Sequence, residues 1–188
     1  MPSPYEGLLE HAERYLGPVT HAEPPDVLGH NRGFAIGFHR HPEHDMVSAA
    51  STGLRFQDLE FQIPEEIVCS ARPGQEREAS YLVHLAATFA LKNGTGHGHR
   101  GGYRNAEPLI PETRISSIAY SVHPHLPDEF DHFRDADGEA VLRFVTIVPM
   151  TDPEFRFALD SGDGLNSLME VWKLNGTDLL DLHRESTV

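Results

Sequence analysis

The sequence predicts an α+β protein in which helices pack against a mixed β-sheet. Three observations favour this class. Residues 141–148 are almost continuously apolar, which is typical of a strand covered on both faces. Residues 75–93 carry apolar side chains at helical spacing and stop before Gly94, a good helix terminator. Several shorter segments have the apolar spacing of strands.

The size of the chain predicts one domain over residues 1–188. Of its 188 residues 39% are hydrophobic, which is enough for one sizeable core and too few for two independent ones. Residues 1–32 are predicted to form a short amphipathic helix that ends at Gly17, followed by an irregular lead-in. The single cysteine, Cys69, excludes an intrachain disulfide framework and is interpreted as a core side chain.

The remaining elements follow from apolar periodicity and turn residues. Strands are predicted over residues 33–40, 45–51, 54–63 (with one slip in the period), 67–71, 114–122 and 140–148. After the helix at 75–93, the glycine-rich residues 94–113 are predicted to form a long loop. Pro149 lacks an N–H group, so the pairing of the last strand is expected to end there.

The chain after Pro149 has the spacing of two helices. Thr151 and Glu154 have the separation of a capping box, which predicts that a helix begins at this point. Asp163 is predicted to cap a second helix that closes at Gly176. The last strand, these two helices and the tail are expected to form one compact C-terminal unit.

The charge of the chain limits its partners. It has 15 Lys and Arg against 29 Asp and Glu, a formal net charge of −14. Such a chain repels nucleic acid and anionic membrane surfaces, so a basic protein is the expected partner. No apolar run approaches the ~20 residues of a membrane span, and the N-terminus has neither the basic flank nor the apolar run of a signal peptide. The expected location is therefore cytoplasmic.

Three segments resemble the Suppressor of fused family, specifically its bacterial single-domain members. They are "PEEIVCSARPGQEREASYLVHLAATFALKNG", "RFVTIVPMTDPEFRFALDSGDGLNSLMEVW" and the terminal "DLLDLHRES". The resemblance runs from about Asp45 to the C-terminus and implies a mixed sheet with packed helices. For bacterial relatives it implies a non-enzymatic immunity protein that neutralises a neighbouring toxin in a polymorphic toxin system. Animal members hold a transcription-factor peptide between this lobe and a second one, so their site does not transfer.

The alternative hypothesis is a metal-dependent enzyme that uses histidine-rich loops. Two H-x-H pairs supply the candidate metal ligands, because side chains at i and i+2 of a strand share a face. These candidates are His39, His41, His97 and His99. No third ligand stands at a suitable spacing, and no H-E-x-x-H motif is present. No cofactor is predicted: "GHGHRG" at residues 96–101 matches G-x-G-x-x-G, but it follows a helix instead of a strand.

An acidic stretch between two predicted strands supplies the candidate partner-binding residues. They are Asp128, Glu129, Asp131, Asp135 and Asp137. The stretch can be a solvated surface loop, or a contact face that steers and masks a basic partner. The sequence leaves both interpretations open. It shows no G-x-S-x-G elbow and no carboxylate pair in a context that argues for acid–base catalysis, so no catalytic residue is predicted.

Overall fold

The structure, a computed structural model, describes residues 3–188. Its helices are α1 (Leu8–Leu16), α2 (Glu76–Asn93), α3 (Asp152–Asp160) and α4 (Leu165–Asn175). Its strands are β1 (Val19–Glu23), β2 (Asp26–Val27), β3 (His30–Asn31), β4 (Ala35–Arg40), β5 (Val47–Thr52), β6 (Glu65–Ala71), β7 (Gly102–Arg104), β8 (Ile115–Ser121), β9 (His132–Arg134) and β10 (Ala140–Thr151). Single 3-10 turns span Leu54–Phe56 and Asp128–Phe130. Within the described range, no helix has the length and apolar character needed to cross a membrane.

One mixed sheet organises the chain, in the order β1-β4-β5-β6-β10-β8-β7, with β9 paired to the start of β10. Strand β10 runs parallel to β6 and antiparallel to β8, so the predicted apolar strand is central. Helix α2 packs on β5 and β6, and α1 packs with Phe130, Phe133 and Phe144 in a second cluster. The predicted class, an α+β fold with helices on a mixed sheet, is confirmed.

The prediction that pairing ends at Pro149 is wrong, because β10 continues to Thr151 and Pro149 pairs with Ile118 of β8. In a β-strand the backbone N–H and C=O groups of one residue point toward the same neighbouring strand position. The carbonyl oxygen of Pro149 accepts a hydrogen bond from Arg184 Nη2 at 3.0 Å, so the side that lacks an N–H faces this arginine. The proline therefore removes no bond from the β8–β10 ladder.

Three further segments differ from their predictions: one was predicted as a strand and two as irregular. Residues 54–63 are no strand: the buried Glu66 carboxylate accepts the N–H groups of Gly53, Leu54 and Arg55 and holds a 3-10 turn there. The lead-in predicted as irregular contains β1, which pairs with β4, and the β2–β3 hairpin. The predicted loop at 94–113 contains β7, which pairs with β8. These segments acquire their structure from distant strands or a distant carboxylate.

The capping box at the start of α3 is present. Glu154 Oε2 accepts the backbone N–H of Thr151 at 2.9 Å, and the Thr151 side chain caps the N–H of Glu154 in return. The predicted cap of α4 is off by one residue: Gly164 precedes the helix, with φ of +56°, in place of Asp163.

We expect Thr151→Ala to lower the free energy of unfolding by about 0.5–2 kcal/mol, the usual cost of a lost N-cap. Chemical denaturation measures the change. Thr151→Ser keeps the hydroxyl and is the control, which should remain close to wild type. Equal stability of the alanine variant and wild type would show that the cap contributes nothing.

Candidate functional site

The first histidine pair, His39 and His41, has two separate structural roles. His39 is buried at the end of β4, where its Nδ1 is hydrogen-bonded to the carbonyl oxygen of Gly17 at 2.8 Å. Burial lowers its pKa. His41 lies beyond the strand, and its Nδ1 accepts the N–H groups of Glu43 and His44 at 3.1 and 3.0 Å. One ring therefore supports the end of α1, and the other closes the β4–β5 turn.

The second pair, His97 and His99, belongs to a glycine loop held by a buried carboxylate. Glu65 accepts the N–H groups of His97 and Gly98, both at 2.8 Å. His97 Nε2 is hydrogen-bonded to the Ala86 carbonyl, and His99 Nε2 to the Phe144 carbonyl. Glycine-rich loops bind phosphate through such N–H groups, but here the chain's own carboxylate occupies them. This arrangement argues against a nucleotide site.

The four candidate metal ligands are thus each hydrogen-bonded to the backbone through a ring nitrogen. Within residues 3–188, no three side chains of His, Cys, Asp or Glu are grouped as metal ligands. The H-x-H spacing brought pairs of histidines together in sequence, but the fold supplies no third ligand to either pair in this range.

A buried Ser–His contact has the distance of a catalytic dyad but the wrong proton arrangement. Ser70 Oγ lies 2.8 Å from His123 Nε2 and 2.6 Å from Ser48 Oγ. His123 Nδ1 accepts the N–H of His125, so the neutral ring carries its proton on Nε2 and donates it to Ser70. Burial lowers the pKa of His123 to about 3. A ring that donates to the serine is no base for it, so the network is structural.

The acidic candidates separate into three kinds. Asp128 and Glu129 are exposed on a 3-10 turn, and Asp137 is exposed further along. Asp135 is half-buried and accepts the N–H groups of Asp137 and Glu139 at 3.0 Å, so it folds the β9–β10 turn. Asp131 differs from the prediction of a partner-binding surface residue: it is buried beside the core residue Phe130 and accepts the N–H of His123. Its burial raises its pKa and removes it from the surface.

Two of the three exposed candidates, Asp128 and Glu129, line an open cleft of about 650 Å³. We call it the α1 groove. One wall is α1, with Glu10, His11 and Arg14, and the opposite wall is the 3-10 turn with the start of β9. Stacked rings lie beneath it: His11 is nearly parallel to Phe144, with centroids 5.8 Å apart, and Phe144 to Phe130 at 4.9 Å. The buried Phe144 and Phe130 thus support from below the rings that line the groove, among them His11, and give it a rigid aromatic base.

The groove combines acidic rims with cationic and neutral groups. Glu10, Asp128 and Glu129 are acidic, whereas Arg14 and Arg134 are basic, so the carboxylates are in excess. His11 Nε2 donates to the Phe130 carbonyl oxygen at 3.0 Å, and burial lowers the pKa of the ring. The imidazole is therefore neutral near pH 7 and contributes a stacking surface without a charge.

Sequence reasoning found one wall of this groove and missed the other. Asp128 and Glu129 were marked by the run of acidic residues. Glu10, His11 and Arg14 belong to the predicted N-terminal helix but are not among the predicted site residues, because nothing local indicates what their face of the helix lies beside. The polar face of α1 is visible in the sequence. Its role as a wall of the groove becomes clear only from the packing of α1 beside residues 128–134.

Comparison with known proteins identifies the family. The family model described as Suppressor of fused protein matches residues 17–185. The chain belongs to the Suppressor of fused family. A solved structure of a Suppressor of fused homologue from Neisseria gonorrhoeae is similar, with a TM-score of 0.66 and 16% identity over 98% of this chain and 97% of that one. At this identity the likeness concerns the fold. No match is found among curated protein sequences.

The segments that carry the Suppressor of fused resemblance meet in the C-terminal unit. Glu154 at the start of α3 is fully buried and pairs with the buried Arg184 of the tail, Nη1 to Oε1 at 2.5 Å. Trp172 of α4 donates to the same carboxylate at 3.0 Å. These residues join the strand end, both helices and the tail. Their contacts are buried and explain how this part of the fold is held together.

Proposed function

We propose that this Suppressor of fused domain is a protein-binding, non-enzymatic immunity protein that neutralises a basic toxin encoded beside it. The observation that carries the proposal is the α1 groove, where exposed carboxylates surround an open cleft with a rigid aromatic base. Interfaces of this kind combine aromatic contact area with charge complementarity. The excess of carboxylates agrees with the net charge of −14.

The walls of the groove suit a partner-specific site. The family match covers residues 17–185 and so includes the wall with Asp128 and Glu129, whereas α1 precedes it. The solved homologue covers 98% of this chain, so the fold is shared over nearly its whole length, whereas the sequence of α1 lies outside the family model and can differ between relatives that bind different toxins. Aromatic rings stacked in the folded state also lose little entropy when a partner binds.

The test is association with the product of a toxin gene adjacent to this one. We expect co-expression to rescue growth and the pair to co-purify. Charge reversal of Asp128 and Glu129 together should lower the association rate about tenfold or more at low salt, because complementary charge speeds encounter. The difference should shrink near 0.15 M salt, where the screening length is about 8 Å.

The matched control is the double charge reversal of Asp160, the exposed last residue of α3, and Asp163, which is exposed in the turn before α4. It changes the net charge by the same amount at another surface. Equal rates in the two double variants would place the contact outside the α1 groove. Failure of both rescue and co-purification would contradict the immunity function itself.

A further inference from the structure

A second cleft, of about 550 Å³, lies where β8 meets the start of α3. We call it the arginine cleft. Its defining residues are Arg104, Arg114, Ser116, Thr151, Asp152 and Arg156. It concentrates three of the 15 Lys and Arg residues of a strongly acidic chain. With Asp152 and Glu185 as the facing carboxylates, cations are in excess here, in contrast to the α1 groove.

Ser116 is the unusual residue of this cleft. It is only 5% exposed, and its Oγ is buried with no hydrogen-bond partner. It is also the extra residue of a β-bulge: Ile115 pairs with Thr151 and Ser117 with Met150, so no residue of β10 stands opposite Ser116. Bulges commonly redirect a side chain beside a functional site. A buried hydroxyl without a partner is costly, and a ligand that accepts its proton would relieve that cost.

The three arginines retain donors for such a ligand. Arg104 Nε and Arg156 Nε each donate to Asp152 at 2.8 Å, and Arg114 Nε lies 3.4 Å from Glu185. A guanidinium has five N–H groups, and Asp152 or Glu185 occupies only a fraction of them. Asp152 thereby holds two of the guanidinium groups beside the first turn of α3. The helix N-terminus adds a partial positive charge at the same place.

We propose that the arginine cleft binds a small phosphate-bearing molecule. The hydroxyl of Ser116 is enclosed at the floor; it turns toward the cleft and donates to one phosphate oxygen, while Arg114 and Arg156 donate to others at the rim. A tetrahedral oxyanion presents oxygens in more than one plane, so it can meet donors at the floor and the rim together. A planar carboxylate reaches donors only near its own plane. Arginine is also the side chain best suited to binding phosphate through several N–H groups.

Titration of the full chain with inorganic phosphate, at constant ionic strength against chloride, tests the proposal by calorimetry. Arg114→Gln combined with Arg156→Gln should weaken phosphate binding at least tenfold. Arg77→Gln, at an exposed position on α2, is the control for a lost surface charge and should leave binding unchanged. A second titration with glycerol phosphate compares the two affinities. Tighter binding of glycerol phosphate indicates a phosphomonoester ligand, and tighter binding of phosphate indicates the free ion.

Ser116→Ala separates the ligand role from a structural one. We expect it to raise the melting temperature of the phosphate-free protein, because it removes an unpaired buried hydroxyl, and to weaken phosphate binding several-fold. A structural serine would instead lose stability and leave phosphate affinity unchanged. No phosphate binding by wild type, equal losses in the Arg77 variant, or equal binding of acetate would each overturn the proposal.

Discussion

Arg184→Met should lower the free energy of unfolding by about 3–5 kcal/mol, because it leaves the Glu154 carboxylate buried without its cationic partner. Arg184 donates to both carboxylate oxygens of Glu154 and to the carbonyl oxygen of Pro149. Methionine fills a similar volume, so the loss reports the charge and the hydrogen bonds. Denaturant unfolding followed by tryptophan fluorescence measures it, since Trp172 contacts Glu154.

Two controls isolate the cause. Glu185→Gln breaks the neighbouring ion pair with Arg114, but both side chains are mostly exposed, so the expected loss is below about 1 kcal/mol. The double variant Glu154→Met, Arg184→Met leaves no unpaired charge, and it should cost less than the sum of the single changes. Additive losses, or a small loss in Arg184→Met, would contradict the role of the buried pair.

The same pair sets a pH dependence. Burial alone would raise the pKa of Glu154, but the hydrogen bonds and charge of Arg184 outweigh it, and the pKa lies below the ordinary value of 4.5. A lowered folded-state pKa stabilises the fold above pH 4.5, and this contribution is lost as the pH falls through the lowered value. In Arg184→Met the hydrogen bonds and charge of Arg184 are lost, and only the bonds from Thr151 and Trp172 still oppose the effect of burial on the pKa of Glu154. That variant should therefore be least destabilised at acid pH, which unfolding curves from about pH 4 to pH 8 will show.

The elements with local signals were predictable from the sequence. Helix α2 has a continuous apolar stripe and terminates at Gly94, which adopts φ of +71°. Strand β10 was recognised by its apolar run, and the Thr151–Glu154 spacing marked the start of α3. In each case residues close in sequence determine the structure, so periodicity and capping were sufficient.

The elements with distant causes were not predictable. Glu65 and Glu66 head a buried strand, although consecutive carboxylates usually indicate solvent exposure. Their partners are the N–H groups of 53–55 on one side and of 97–98 on the other, together with Arg55 and Arg143. No local pattern reveals that two buried charges are compensated from opposite directions. The α1 groove was missed for the same reason, since its two walls are more than a hundred residues apart.

Gly17→Ala should destabilise the protein by roughly 3 kcal/mol or more, through backbone strain and overpacking together. Gly17 ends α1 with φ of +90°, a conformation that favours glycine. A Cβ atom there would lie 2.0 Å from the carbonyl oxygen of Arg40, in the backbone of β4. The carbonyl oxygen of Gly17 is hydrogen-bonded to the buried His39. Gly17 therefore holds the end of α1 against the sheet both by close packing and by this hydrogen bond.

Gly74→Ala is the matched control, because Gly74 has φ of +94° but an added Cβ would meet nothing within 4 Å. It should show the strain alone, about 1–3 kcal/mol. The excess loss in Gly17→Ala measures the clash by denaturant unfolding, and equal losses would show that α1 is free to shift away from β4. If α1 does shift, one wall of the α1 groove moves with it. The variant should then bind the toxin partner more weakly than Gly74→Ala does at temperatures where both remain folded.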